Sequence, residues 1–300
     1  MELTILGTSG MVPTKERNVA ATYLEYKGEG ILFDCGEGTQ RQMNLCGINR
    51  NKVTRILISH WHADHALGIV GLLQTVSNQE QDGRTITVIG PKGTTQRIGH
   101  IQEAFSHDSG LNISIVDCDP KGVEVCLDTP DFQILAARLE HSTPCIGFVF
   151  LEKDRRKINT EMLRKLGIPD GPHLRKLQEG KTMEYQGKKV SPEQATTVVQ
   201  GKRIAYVTDT RFCQNAIALA ENADLLICEA TFADALQDKA DEYKHLTGGQ
   251  AAQIASQAGV KQLILTHFSQ RYKNTQEIEE DATRIFDKAR CANDFERIEL

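Results

Sequence analysis

The sequence has no Cys-x-x-Cys pair, no tract of a single residue type, one tryptophan and only 8 prolines in 300 residues. Without paired spacing, the eight cysteines (Cys35, Cys46, Cys118, Cys126, Cys145, Cys213, Cys228 and Cys291) read as reduced, mostly buried thiols rather than metal or redox groups. With 25% charged and 40% hydrophobic residues, neither disorder nor a fibrous repeat describes the chain. No apolar run approaches the roughly 18 residues that span a bilayer. Met1-Glu2-Leu3-Thr4 carries no basic region leading into a signal core, so a cytoplasmic protein with no membrane partner is expected. The length suffices for one large domain or two small ones around a sizeable core.

Acidic residues are in excess, with a net charge of −5 that by itself argues against a polyanionic partner. The distribution argues the other way. Residues 151–190 hold 11 Lys and Arg against 6 Asp and Glu, a net +5, which leaves −10 for the remainder. Ile168-Pro169-Asp170-Gly171-Pro172 interrupts this block between helix-compatible stretches at Met162–Leu166 and Leu174–Leu177. A basic block so punctuated describes an inserted arm, not a solvated helical face.

Elsewhere the pattern is layered α/β. Strand-like segments at Glu2–Leu6, Ala20–Tyr26 and Gly30–Asp34 come first, then helices at Gly68–Val76 and Thr94–Phe105, then paired strands at Phe132–Leu139 and Ile146–Leu151. Thr247 with Gln250 forms a capping box before Ala251, Ile254, Ala255 and Ala258, and Gly259 marks the stop. Asn274 with Glu277 repeats the device before Ile278, Ala282, Ile285, Phe286 and Ala289. Two similar α/β halves facing each other fit this order.

Chemistry concentrates in His60-Trp61-His62-Ala63-Asp64-His65, three imidazoles and a carboxylate in six residues. These are the donors that bind zinc. The run follows the strand-like Arg55–Ser59, and His60 and His62 at i and i+2 point the same way from an extended backbone. Asp64 and His65 come after a small residue where the chain can turn. Other apolar runs also end in donors: Phe132–Leu139 before His141, Ile204–Val207 before Asp209, Leu225–Cys228 before Glu229 and Leu263–Leu265 before His267. Strands of one sheet deliver functional groups at a shared edge. His60, His62 and His141 make one three-donor set and Asp64, His65 and His267 another, with Asp209 able to bridge. Two ions about 3.5–4 Å apart form the hydrolytic arrangement that deprotonates a bridging water. His100, His107 and His173 are left as ordinary surface or core residues.

At these residues the chain resembles the metallo-β-lactamase superfamily and, more narrowly, the short form of the ribonuclease Z family. The narrower resemblance rests on pieces in order along nearly the whole chain: Pro13-Thr14-Lys15-Glu16-Arg17-Asn18, Phe33-Asp34-Cys35-Gly36-Glu37-Gly38-Thr39-Gln40, the His60 cluster and the Gly-Pro arm around Gly167–Gly180. Thr208-Asp209-Thr210, Glu229-Ala230-Thr231, His245-Leu246-Thr247 and His267-Phe268-Ser269-Gln270-Arg271-Tyr272 complete it.

The resemblance implies a four-layered αβ/βα sandwich as a single domain over residues 1–300, with an inserted tRNA-binding arm at about 152–190. It implies two zinc ions, or manganese or another divalent ion, on the two donor sets read above, with Asp209 shared. Asp64 would manage the proton of the attacking water, and His245, oriented by Glu229, would protonate the leaving group. Substrate contacts would come from Lys15, Arg17 and Asn18 near the RNA 3′ end, from Gly171, Pro172, Arg175 and Lys176 on the arm, and from Arg271. The implied enzyme is a homodimeric endoribonuclease that cuts precursor tRNA after the discriminator nucleotide. Cys228 and Leu246 depart from the family's usual His and Ser. One rival reading is a small-molecule hydrolase of the same superfamily, which gives no reason for a basic arm; the other is a non-catalytic RNA-binding protein with a structural metal, against which the complete donor set with Glu229 and His245 argues.

Overall fold

The computed structural model describes residues 1–78, 83–105 and 111–300, and His107 lies outside the described residues. Its strands are apolar on both sides. In Ile31-Leu32-Phe33, Ile31 and Phe33 join one buried cluster and Leu32 another. In Leu225-Leu226-Ile227, the outer two join the cluster of Phe33 and Leu226 joins a third. Successive side chains point to opposite faces, so such strands demand a cover on each face.

Two seven-stranded sheets meet that demand. The first runs, in spatial order, Arg297–Glu299, Glu2–Gly7, Ala21–Tyr26, Glu29–Phe33, Val53–Leu57, Arg84–Pro91 and Leu111–Cys118. Its pairings are antiparallel as far as Glu29–Phe33 and parallel beyond. The second runs Ala289–Cys291, Leu263–Thr266, Leu225–Glu229, Arg203–Val207, Cys145–Glu152, Phe132–Leu139 and Glu124–Asp128, parallel as far as Arg203–Val207 and antiparallel beyond. The sheets press together through Leu3, Phe33 and Leu57 on one side and Phe148, Phe150, Ile204 and Ile227 on the other. Helices Thr39–Leu45, Gly68–Ser77 and Thr94–Ala104 cover the outer face of the first sheet. Gln214–Ala220, Gly248–Ala258 and Gln276–Thr283 cover the second. This is the αβ/βα sandwich expected, and each fully buried large side chain contributes about 1.5–3 kcal/mol relative to exposure.

Four expectations are corrected. Asn274 and Glu277 form no capping box: Thr275 is the N-cap, and Asn274 accepts instead from the Gln276 N–H at 3.3 Å. The helix stops at Thr283, which leaves Ile285 41% exposed rather than on a core face. Cys118 and Cys126, expected as separate thiols, are brought face to face where the end of one sheet's last strand meets the middle of the other sheet's edge strand, their Cα atoms 6.4 Å apart. Finally, the arm extends past Val190. Arg155–Ile158 pairs antiparallel with Thr196–Val199 to make a two-stranded stem, and Leu163, Ile168, Leu174, Leu177, Met183, Val190 and Ala195 form a separate small core beyond it.

The parallel strands position the site. Glu29–Phe33, Val53–Leu57, Arg203–Val207, Leu225–Glu229 and Leu263–Thr266 end in the loops or terminal residues that carry Asp34, His60, Asp209, Glu229 and His267. Asp34, Asp209 and His267 all have left-handed backbones, with φ of 57°, 37° and 61°. Conformations so costly for residues with a Cβ persist where surrounding structure over-determines them, and they cluster at functional sites.

Candidate metal centre

Seven side chains from four segments of the chain converge here as two sets, His60, His62, His141 and Asp209, and Asp64, His65 and His267, and a further group of Asp209, His245 and His267 overlaps them. The Asp209 carboxylate divides between them. Its Oδ2 lies 3.5 Å from His60 Nε2 and 3.6 Å from His141 Nε2, while its Oδ1 lies 3.3 Å from His65 Nε2 and 3.2 Å from His267 Nε2. Asp64 Oδ2 completes the second set at 3.4 Å from His65 Nε2 and 3.5 Å from His267 Nε2. In the first set, His62 Nδ1 approaches His60 Nε2 at 2.9 Å and His141 Nε2 at 3.4 Å.

These separations test the fit of a metal. Ligand nitrogens at about 2.0–2.1 Å from a tetrahedral zinc stand about 3.3–3.4 Å from one another. The separations of 2.9 to 3.6 Å seen here surround that value in both sets. Burial, reinforced by neighbouring His65, lowers the His60 pKa well below its ordinary value, and burial also lowers that of His141. Both are therefore neutral donors. Burial pushes the Asp209 carboxyl up, but the imidazoles of His267, His65 and His60 outweigh it and hold the group ionised. The same contest, won by His267 and His65, keeps Asp64 ionised.

A second ring of contacts fixes which nitrogen faces inward. Asp34 is fully buried and accepts from His65 Nδ1 at 2.7 Å, Tyr206 OH at 2.9 Å, and Ser59 Oγ and N at 2.9 and 2.7 Å. Ser59 Oγ also meets His60 Nδ1 at 3.1 Å. The Lys244 carbonyl faces His141 Nδ1 at 3.2 Å, and Thr231 Oγ1 faces His267 Nδ1 at 3.1 Å. Such partners orient ligand imidazoles and raise their basicity. Sequence reasoning missed Asp34, Lys244 and Thr231 in these roles. Asp34 sits in a quoted motif and ends an apolar strand, so its signal was available.

Glu229 is fully buried behind the cavity. Its Oε1 accepts from the Thr210 N–H at 2.7 Å and from His245 Nδ1 at 3.0 Å, and its Oε2 accepts from Thr231 Oγ1 at 2.6 Å. Burial lowers the His245 pKa, but the facing carboxylate outweighs it and raises the group to about 9. With Nδ1 engaged, His245 turns Nε2 to the cavity. Glu229 thus orients the His245 ring. Cys228 and Leu246, the departures from the family pattern, are both fully buried in the helix-covered core, away from the cavity.

The cavity itself, about 870 Å³, is lined by donors of both sets and by Met11, Phe232, Tyr243, His245 and Arg271. Arg271 is exposed, with its guanidinium 5.0 Å from the Phe232 ring centre. Lys15 is exposed on its loop. Arg17 and Asn18 are engaged internally: Arg17 donates to the Tyr272 carbonyl at 3.0 Å, and the Asn18 side chain donates to the Glu37 carbonyl at 2.8 Å. On the arm, Gly171 and Pro172 open a short turn, Lys176 is exposed, and Arg175 pairs with Glu179 at 2.9 Å. His100 is exposed on a helix, and His173 stacks on Tyr185.

A family model described as "Beta-lactamase superfamily domain" matches residues 180–268, and one described as "Anti-Pycsar protein Apyc1" matches residues 1–100. The ribonuclease Z of Archaeoglobus fulgidus is 38% identical over 304 residues, covering 100% of this chain and 97% of that protein. That of Methanothermobacter thermautotrophicus is 39% identical over 303 residues, with 100% and 97% covered. Among solved structures, the short form of human tRNase Z superposes with a TM-score of 0.73 at 28% identity, covering 100% of this chain and 99% of its own.

Proposed function

The chain belongs to the ribonuclease Z family and is a metal-dependent nuclease, and from that premise we propose that it is a zinc-dependent endoribonuclease cutting precursor tRNA after the discriminator nucleotide. The products are a tRNA with a 3′-hydroxyl and a trailer with a 5′-phosphate. The observation that carries this reading is the split Asp209 carboxylate, one oxygen toward each of two histidine sets.

Two divalent cations, one on His60, His62, His141 and Asp209 and one on Asp64, His65, His267 and Asp209, would acidify a water and stabilise developing oxyanions. Imidazole and carboxylate donors suit zinc and also accept manganese. Asp64, ionised and at the cavity wall, accepts a hydrogen bond from the attacking water and aims its lone pair at phosphorus. The phosphorus bond to the 3′-oxygen then breaks, and His245 gives that oxygen a proton from Nε2. An alkoxide is a poor leaving group, so the proton matters. Glu229 holds the imidazole protonated and aimed.

The basic arm supports a large polyanionic substrate, since phosphate contacts read RNA by charge and shape. The reading includes a homodimer, carried over from the family resemblance, and a cytoplasmic location, carried over from the sequence; light scattering that returns a single-chain mass overturns the dimer. Among the described residues, no helix is long and apolar enough to cross a membrane.

The deciding experiment incubates the metal-quantified protein with a 3′-extended precursor tRNA and maps the new ends. A single cut at the discriminator that chelation abolishes supports the reading. No cut, alongside hydrolysis of a simple phosphodiester, moves the substrate to the small-molecule class.

A further inference from the structure

Two large apolar side chains border the metal cavity in the open: Met11 is 80% exposed and Tyr243 is 53% exposed. An exposed apolar residue alone signifies little. These two differ from the rest in being tied to metal-ligating residues. Met11 has a left-handed backbone, φ 63°, and its N–H donates to Asp64 Oδ2 at 2.7 Å. Tyr243 ends the helix Gln237–Tyr243, and the next residue, Lys244, is also left-handed at φ 57°. Lys244 meets His141 twice, its carbonyl at 3.2 Å from Nδ1 and its Nζ at 3.2 Å from the His141 carbonyl. Each side chain therefore springs from backbone anchored beside a different donor set. Phe232, also in the cavity wall, is buried and covered by Arg271, so Tyr243 is the phenyl-type ring that presents its surface to a ligand.

We propose that Tyr243 stacks on the base of the nucleotide 5′ to the cut and that Met11 packs on the base 3′ to it. This rests on the RNA-cleavage reading above. His245 protonates the 3′-oxygen of the 5′ nucleotide, which places that ribose at His245 and its base within reach of a ring two residues away. Met11, on the Asp64 side, meets the nucleotide beyond phosphorus. Unpaired bases at such a site offer π faces that sequence-tolerant stacking recognises. The pair thus grips the chain at the cleavage point, separately from the arm, and sets which bond faces the metal centre.

The test compares kcat/KM for a 3′-extended precursor tRNA with the same RNA made abasic at the discriminator, or at the first trailer nucleotide. Tyr243→Ala should lose roughly 5- to 150-fold on the full precursor, the factor that stacking one base supplies. That loss should vanish on the discriminator-abasic RNA, persist on the trailer-abasic RNA, and be largely recovered by Tyr243→Phe. Met11→Gly, which keeps the left-handed backbone without strain, should show the reverse pattern and blur the cut position. An equal Tyr243→Ala loss on all three RNAs, or none on any, overturns the assignment. If the unaltered protein cuts none of them yet hydrolyses a simple phosphodiester, the RNA reading itself fails, and the stacking assignment falls with it.

Discussion

Glu229 and His245 form a buried carboxylate–imidazole pair, Oε1 to Nδ1 at 3.0 Å, with the other ring nitrogen left for the cavity. Glu229→Gln keeps the shape but removes the charge that holds the imidazole protonated. The expected result is a fall of about 10²–10⁴ in kcat on RNA, the usual worth of a positioned acid. An ester with a nitrophenolate leaving group, which departs without a proton, should be much less affected. Equal losses on the two substrates would remove His245 from the role of acid.

The same pair sets an alkaline limb. A group raised by its partner acts as an acid at low pH and is lost as pH rises through its folded value. Glu229 lifts His245 from 6.5 toward about 9, and cations bound in the adjacent sets would push it back down. The RNA-cleavage rate at saturation should therefore fall between those two values, and in Glu229→Gln the fall should move to lower pH. A pH–rate profile that does not shift on this substitution counts against the assignment.

Among the described residues Asp209 is the donor that faces both histidine sets, so its removal should not cost a single ion. Asp209→Ala should bind substantially fewer than two metal equivalents by elemental analysis and lose RNA cleavage, while a substitution at Asp64 alone should preferentially empty the second set. Retention of two equivalents in Asp209→Ala would show that the carboxylate is not shared.

The converging donor residues were legible because each follows an apolar strand, and these strands of the two sheets end at a shared edge. His141, Asp209 and His267 could be picked out by position, and the fold class followed from the alternation of strands and helices. What stayed illegible depends on contacts between distant segments. Tyr243 closes a polar helix, and nothing in its neighbourhood announces that Lys244 turns back onto His141. Arg17 and Asn18 were expected at the RNA 3′ end, yet partners at Tyr272 and Glu37 engage them. Cys118 and Cys126 meet only because two sheets come together. The return strand Thr196–Val199 of the arm, a β-branched run after a helical turn, has a partner forty residues earlier, too far for a hairpin signal to join the two.

Asp34 lines none of the described cavity but satisfies His65, Tyr206 and the N–H and hydroxyl of Ser59. Asp34→Ala would leave these buried donors unpaired, each costing about 1–3 kcal/mol. The expected outcome is a large drop in thermal stability together with a 10–100-fold loss of metal affinity at the second set, the usual effect of removing a ligand's orienting partner. Asp34→Asn, which keeps two acceptor lone pairs but no charge, should recover more of the stability than of the affinity. Recovery of both to the same degree would make Asp34 a packing residue only.

The arm gives the last prediction, and its stem decides how to make the deletion. Cutting out Arg155–Lys189 would leave Thr196–Val199 as an unpaired strand edge, because its partner is Arg155–Ile158. Replacing 154–200 by a short Gly-Ser link removes both stem strands and the separate small core together, and joins the ends where Glu152 N–H already donates to the Lys202 carbonyl at 2.8 Å. The sandwich core shares no member with the arm's cluster, so the deletion should melt as one cooperative unit. Hydrolysis of a small phosphodiester should survive, while precursor cleavage should fall chiefly through KM. Because the arm would act by phosphate contacts, the intact protein's affinity for RNA should drop steeply with salt, and the deleted form should show a shallower slope. An unchanged slope would mean that the basic block is a solvated surface and that the RNA is held elsewhere.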